Sequence, residues 1–292
     1  MAPIRGPAVP RRRLGAELRR LRDQAGLLIG QVADQLECST SKISRLETGK
    51  GIPRARDVRD LLTLYAVSDD KIRERLMRWA REGQQQGWWE KYSDVLRPAK
   101  LRMDHLDTLY ALEADATTIR MFQSNVVPGL LQTREYARGL LRTLSDRLDI
   151  AEIDRLVEVR MVRQQVLSRS PDPLRLRCVL DETALLRPVG GPDVMRGQLR
   201  RLLETDRPNV TVQILPLASG PHPAMIGPFV VLEFEDAADR DLVFVESHAG
   251  GAYLEQPSDV EFHEDLFRKC ERAALSPAKS ASLISARLEA LV

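Results

Sequence analysis

The sequence predicts a mainly α-helical protein in two parts: a five-helix N-terminal domain, then an α+β domain holding a small, mostly antiparallel sheet. Three observations carry this. A chain of 292 residues is long for one hydrophobic core, so two domains are the starting expectation. Apolar residues recur at helical spacing from Leu14 to Trp79. Beyond Leu101 helical runs give way to strand-like runs and then return, the order of an α+β domain.

Residues 1–13, rich in Pro and Arg, read as a disordered basic tail. The first domain spans 14–82. Its helices are marked by Leu14, Leu18 and Leu21, then Val32, Ala33 and Leu36, then Ile43 and Leu46, then Val58, Leu61, Leu62 and Tyr65, and last Ile72, Leu76 and Trp79. Residues 83–103 read as a junction: three glutamines between Gly83 and Gly87, then Trp88, Trp89 and Tyr92. The second domain spans 104–292. Helices are expected at 104–116, from a Thr133 cap to Leu144, over 149–168, over 192–205, and near 258–274 and 277–291. Strands are expected at Thr117–Phe122, Leu174–Leu180, Val210–Leu215, Phe229–Phe234 and Leu242–Val245. Val126–Gly129 is an apolar segment closing in a Pro-Gly turn, and 216–228 reads as a lid or partner loop.

Charge separates the two parts. Residues 1–100 hold 21 Lys and Arg against 13 Asp and Glu, whereas the rest of the chain is net acidic. A basic module on an acidic body suits a polyanion partner. Cys38, Cys178 and Cys270 form no CxxC pair and fit a reducing cytoplasm. No apolar h-region follows the basic N-terminus and no apolar run is long enough to span a membrane, so a cytoplasmic, nucleoid-associated protein is expected.

The informative stretch is Leu27–Pro53, LLIGQVADQLECSTSKISRLETGKGIP. A helix-turn-helix needs a small residue where its helices touch, apolar residues facing inward, and polar residues on the outer face of the second helix, which lies in the major groove of double-stranded DNA. Ala33 supplies the first; Val32, Leu36, Ile43 and Leu46 supply the second. Ser39 caps the second helix. Thr40, Ser41, Lys42, Ser44 and Arg45 then stand where bases and phosphates are met, with Arg45 the candidate for a bidentate guanine contact. Gly49 and Lys50 suit close backbone approach and a phosphate contact. The bland alternative is that Arg45 pairs with Glu47 or touches phosphate alone.

The phrase SKISRLETGKGIP, with RLRDQAGL before it and VRDLLTLYAV after, resembles the lambda-repressor-like, or Xre, family of transcriptional regulators over residues 14–67. The resemblance implies operator binding, normally as a homodimer. Two features depart from the family pattern. Leu28 and Ile29 replace the usual hydroxyl cap and Gln, and Glu37 replaces the turn's usual Gly. The segments GWWEKY (87–92), LEADATTIRMFQSNVVPGLLQTREYAR (112–138) and NVTVQILPLASGPHPAMIGPFVVLEF (209–234) resemble a domain of unknown function that follows such helix-turn-helices in actinobacterial regulators. That resemblance implies a role for a small acidic partner protein encoded nearby.

The body offers little chemistry. His105, His222, His248 and His263 have no metal-ligand spacing, and no cofactor, metal or enzymatic activity is expected. Cys178 and His248 suit a nucleophile and base less well than a buried thiol and a structural imidazole. Asp181-Glu182 reads as a helix start. Trp88, Trp89 and Tyr92 are candidates for a ligand or partner pocket, against the plainer reading that they pack the junction onto the body. A transcriptional regulator is therefore expected, with an antitoxin-like binder of a small acidic protein as the alternative.

Overall fold

The computed structural model describes residues 7–85, 87–96, 106–144, 147–205, 207–235, 241–247 and 250–291, the side chains of Asp107 and Leu144 excepted. His105 and His248 lie outside these residues, as do residues 1–6 of the expected tail, 86 and 97–103 of the expected junction, and 104–105 at the start of the expected second domain. The chain divides into two compact units between Trp88 and Trp89.

The first unit is five helices: α1 (Ala8–Gln24), α2 (Ile29–Gln35), α3 (Thr40–Glu47), α4 (Ala55–Leu64) and α5 (Asp70–Glu82). Their apolar stripes meet in one core of Leu14, Leu18, Val32, Ala33, Ile43, Val58, Leu61, Leu62 and Leu76. The first helix begins at Ala8, inside the stretch expected to be a disordered tail. Proline and arginine content suggested disorder, but Pro7 and Pro10 fall at the cap and in the first turn, where the missing N–H has no intrahelical partner anyway. Val9 is buried, and Arg11 Nε donates to the Gly83 carbonyl at 2.7 Å, tying the start of α1 to the end of α5. The Asp69 carboxylate caps α5 by accepting from Lys71 N and Ile72 N.

The second unit carries α6 (Ser93–Leu96), α7 (Leu106–Asp115), β1 (Thr118–Gln123), α8 (Arg134–Leu144), α9 (Ile150–Arg163), β2 (Arg175–Asp181), α10 (Thr183–Leu186), α11 (Pro192–Leu203), β3 (Val210–Leu215), β4 (Phe229–Glu233), β5 (Leu242–Ser247), β6 (Gly250–Leu254), α12 (Pro257–Ala273) and α13 (Pro277–Glu289). Short 3-10 turns lie at Glu90–Tyr92, at Gly129–Leu131 and after α9 at Gln164–Ser168, and two more, Leu217–Ser219 and Pro223–Ile226, lie in the loop between β3 and β4. The expected small, mostly antiparallel sheet is corrected to a six-stranded mixed one in the order β3-β2-β1-β4-β5-β6. β1 pairs parallel with β2, and β2 with β3. The remaining pairs are antiparallel. The physical reason lies in the connections: α8 and α9 return the chain from β1 to β2, and α10 and α11 from β2 to β3, and a helical crossover makes neighbours parallel. β6, GGAYL, lies outside the expected strands, its glycines having poor strand propensity.

Pleating sends Phe122, Val179, Leu215, Phe229, Val231 and Val243 to one face, where Phe267 and Cys270 of α12 cover them. The alternate residues Ile119, Met121, Leu180, Val230 and Leu232 are also buried. A C-terminal tie fixes α13 on the edge strand: Ser280 Oγ accepts from Ile214 N at 2.9 Å, and Leu275 N donates to the Ile214 carbonyl.

Candidate nucleic-acid interface

α2, a tight turn and α3 form the helix-turn-helix. Val32 and Ala33 of α2 and Ile43 and Leu46 of α3 are all buried in the shared core. Leu28 has no side-chain acceptor to offer at the start of α2. Its own N–H is instead taken by Gln31 Oε1 at 2.8 Å. In the turn, Glu37 adopts φ +48°, so a side chain occupies the left-handed conformation that glycine takes at least cost. Ser39 Oγ then accepts from Lys42 N at 3.2 Å and starts α3.

The register of Ile43 and Leu46 leaves Thr40, Ser41, Ser44 and Arg45 exposed on the opposite face. Arg45 Nη1 donates to Ser41 Oγ at 3.1 Å, one turn back on the same helix. Glu47 is not its partner. Glu47 is buried and holds Arg22 of α1 through two hydrogen bonds, Nε to Oε1 at 2.7 Å and Nη2 to Oε2 at 3.1 Å. Arg22 also donates to the Leu27 carbonyl at 2.8 Å, and its hydrogen bonding to Glu47 raises its already high pKa. This pair clamps the end of α3 to α1.

Lys42 is half-buried and bridged to Asp57 of α4 at 2.9 Å. Gly49 has φ +69°, and a Cβ there would lie 3.0 Å from the Arg12 backbone of α1, so its lack of a side chain is required within the unit itself. Gly15 of α1 is tighter still: an added Cβ would sit 2.5 Å from the Leu46 carbonyl oxygen and 2.6 Å from that of Glu47. Lys50 is exposed. Between α3 and the start of α4 runs an open cleft of about 310 Å³, lined by Lys42, Arg45, Leu46, Gly51, Ile52, Arg54 and Asp57. The sequence reading did not select Ile52 or Arg54; their place in the loop directly after GKG was the available signal.

Hydroxyls and one guanidinium on an exposed helix face, with Lys50 in the loop that follows, can donate to base edges and phosphates. The second unit contains no such face among the residues singled out. Trp88 belongs to the first unit, whereas Trp89 and Tyr92 are buried in the second. Tyr92 Oη lies 3.0 Å from Glu158 Oε1 of α9, with Arg155 over its ring. Burial pushes the Cys178 thiol up to about 12, so it is protonated at neutral pH. His222 Nε2 stands 3.6 Å from Asp181 Oδ2, while Asp181 Oδ1 is committed to the backbone N–H and hydroxyl of Thr183 at the start of α10. Among the described residues no cluster of His, Cys, Asp and Glu is able to hold a metal ion. Nor is any helix among them long and apolar enough to cross a membrane.

Two family models match the chain. Residues 13–75 match a helix-turn-helix domain, and residues 106–286 match a domain of unknown function, DUF5753. Among curated proteins and solved structures nothing matches.

Proposed function

The chain belongs to the DUF5753 family and carries a helix-turn-helix ahead of that domain, and from this premise we propose that it is a sequence-specific transcriptional regulator. Its first unit binds an operator in double-stranded DNA, and its second receives a ligand or a small protein partner. The observation that carries the reading is the outer face of α3, where Thr40, Ser41, Ser44 and Arg45 stand exposed while Ile43 and Leu46 anchor the helix from behind. In this reading Arg45 reads guanine and Ser44, Thr40 and Ser41 contact neighbouring edges. Ser39 caps the helix, Lys42 supports it through Asp57, and Gly49 and Lys50 bring the following loop to the phosphates.

The protein acts as a homodimer on two half-sites about 34–36 Å apart, because symmetric pairing multiplies affinity and specificity. It works in the cytoplasm, on the nucleoid. Selection of bound duplexes from a random pool tests the reading: one recovered motif with repeated half-sites is expected, and recovery of no preferred sequence overturns it. Affinity falls steeply between low and physiological salt, since each phosphate contact releases counterions.

A second reading is favoured by one observation. Met225, Ile226 and Phe262 are 67 %, 99 % and 63 % exposed in the second unit, an apolar display suited to a protein partner. An antitoxin-like protein holding a small acidic partner would use such a surface. Stoichiometric co-purification of an acidic protein, with no motif recovered from the duplex pool, would favour it.

A further inference from the structure

Among the described residues Arg160 is a cation with no anion in an ion pair with it. It lies on α9, one turn before Arg163, and is half-buried. Among the described residues its one hydrogen bond runs from Nη1 to Gln132 Oε1 at 2.8 Å. That acceptor is a neutral amide, and its orientation is fixed because Gln132 Nε2 donates to the Val127 carbonyl at 2.7 Å. A guanidinium carries five N–H donors in a planar fork shaped for an oxyanion, so most of its capacity is unused here.

The neighbourhood cannot supply the missing charge. Glu113 of α7 is 1 % exposed and is gripped by Nε and Nη2 of Arg163. Among the described residues no carboxylate forms an ion pair with Arg160, although the charge of Glu246 on β5 pulls on it. Burial depresses the Arg160 pKa; Arg163 pushes the same way, against the pulls of Tyr110 and Glu246. Drawing a charge out of water with an amide as its hydrogen-bond partner is costly unless something else completes its shell.

The surroundings are also held in place. The segment from Val127 to Thr133 is tied by Gln132, by Gln164 Nε2 to the carbonyls of Gly129 and Gln132, by Gln198, and by the Tyr136 hydroxyl, which accepts from Val127 N. A rigid wall beside an under-coordinated cation is what a preorganised ligand site requires. Arg187 adds a second positive charge close enough to act on Tyr136.

We propose that Arg160 anchors an oxyanion site in the DUF5753 domain, taking the carboxylate or phosphate group of a small molecule in a bidentate grip beside Gln132. The inference rests on the reading of the second unit as the part that receives a signal, and it identifies the chemical class of that signal.

The test is thermal unfolding of the full chain without DNA, titrated separately with sodium phosphate and sodium citrate against sodium chloride at matched ionic strength. The phosphate and citrate arms separate the two sources of the oxyanion. A saturable rise in the unfolding midpoint is expected in at least one arm and not with chloride. Arg160→Gln abolishes it. Arg160→Lys, which keeps the charge but loses the fork, shifts saturation to several-fold higher concentration and keeps the test readable if Arg160→Gln fails to fold. Arg155→Gln, on the same helix but paired with exposed Asp94, responds as the wild type does.

An equal response in wild type, Arg160→Lys and Arg160→Gln overturns the proposal, as does no response to either oxyanion. Duplex binding measured on the same preparations keeps the failures apart: lost anion binding with intact DNA binding sinks this inference alone, and the reverse sinks only the operator reading.

Discussion

Arg22 and Arg160, one in each unit, are both drawn in from solvent, and their company differs. Arg22 is met by a buried carboxylate, a backbone carbonyl and Asp23. Arg160 is met by one amide oxygen. The first arrangement is complete, and its product is a recognition helix held against α1. The second is incomplete in a rigid setting. The difference teaches that one buried cation can be satisfied within its own fold while another is left open, and if the second unit receives an oxyanion as proposed, the open one is completed by that ligand.

The largest expected effect attacks the complete side. Glu47→Ala strips Arg22 of its buried partner and costs about 3–5 kcal/mol, the usual penalty for orphaning one member of a buried pair. Urea unfolding of the full chain, followed by helical circular dichroism, measures it. A loss of under about 1 kcal/mol, as for exposed ion pairs, would break the comparison.

Gly15→Ala is next. The added methyl meets two carbonyl oxygens at the end of α3. Overpacking of this kind costs about 1–3 kcal/mol, and the displaced helix loses DNA affinity beyond what the stability loss explains. Normal operator affinity in this variant would show that the seating of α3 against α1 is not what positions it.

Arg45→Ala leaves the fold intact and acts on recognition alone. It costs about 1–3 kcal/mol at the operator and relaxes preference at one base pair, whereas Lys50→Ala weakens all duplexes alike and lowers the salt slope by about 1. Binding-site selection on both variants decides between them, and an unchanged motif for Arg45→Ala would remove it from base reading.

The smallest effect is a gain. Glu37→Gly relieves a left-handed φ of +48° and stabilises the first unit by about 1 kcal/mol, visible as a higher unfolding midpoint.

Much of the first unit was legible because its signals are local. Ile43 and Leu46 fix the face of α3, and Ser39 marks its start within three residues of the amide it caps. The Arg22–Glu47 pair was not legible. Its partners lie 25 residues apart, and each reads as an ordinary surface charge until the fold brings them together. The start of α1 was misread because composition outweighed the position of its prolines. In the second unit the strand-like runs were visible from Val, Ile, Leu and Phe content, but their direction depends on where the crossovers lead, which no run of residues encodes. Arg160 falls inside the helix expected over 149–168, where nothing local sets it apart from its neighbouring arginines. Its lack of a counter-ion is a property of Glu113 and Arg163, which take each other.

The clamped segment between Val127 and Thr133 carries a consequence in time. Several of its amides belong to no regular helix or strand, so its backbone looks free to exchange hydrogen with solvent. Yet Thr133 N–H donates to Gln198 Oε1 at 2.7 Å, and Gln198 is fully buried, while Val127 N–H is held by a buried tyrosine hydroxyl. Deuterium reaches these positions only when the helices that deliver those side chains come apart. A stretch with the outline of a loop therefore keeps the clock of the core, its amides exchanging at the rate of domain opening rather than of local fraying.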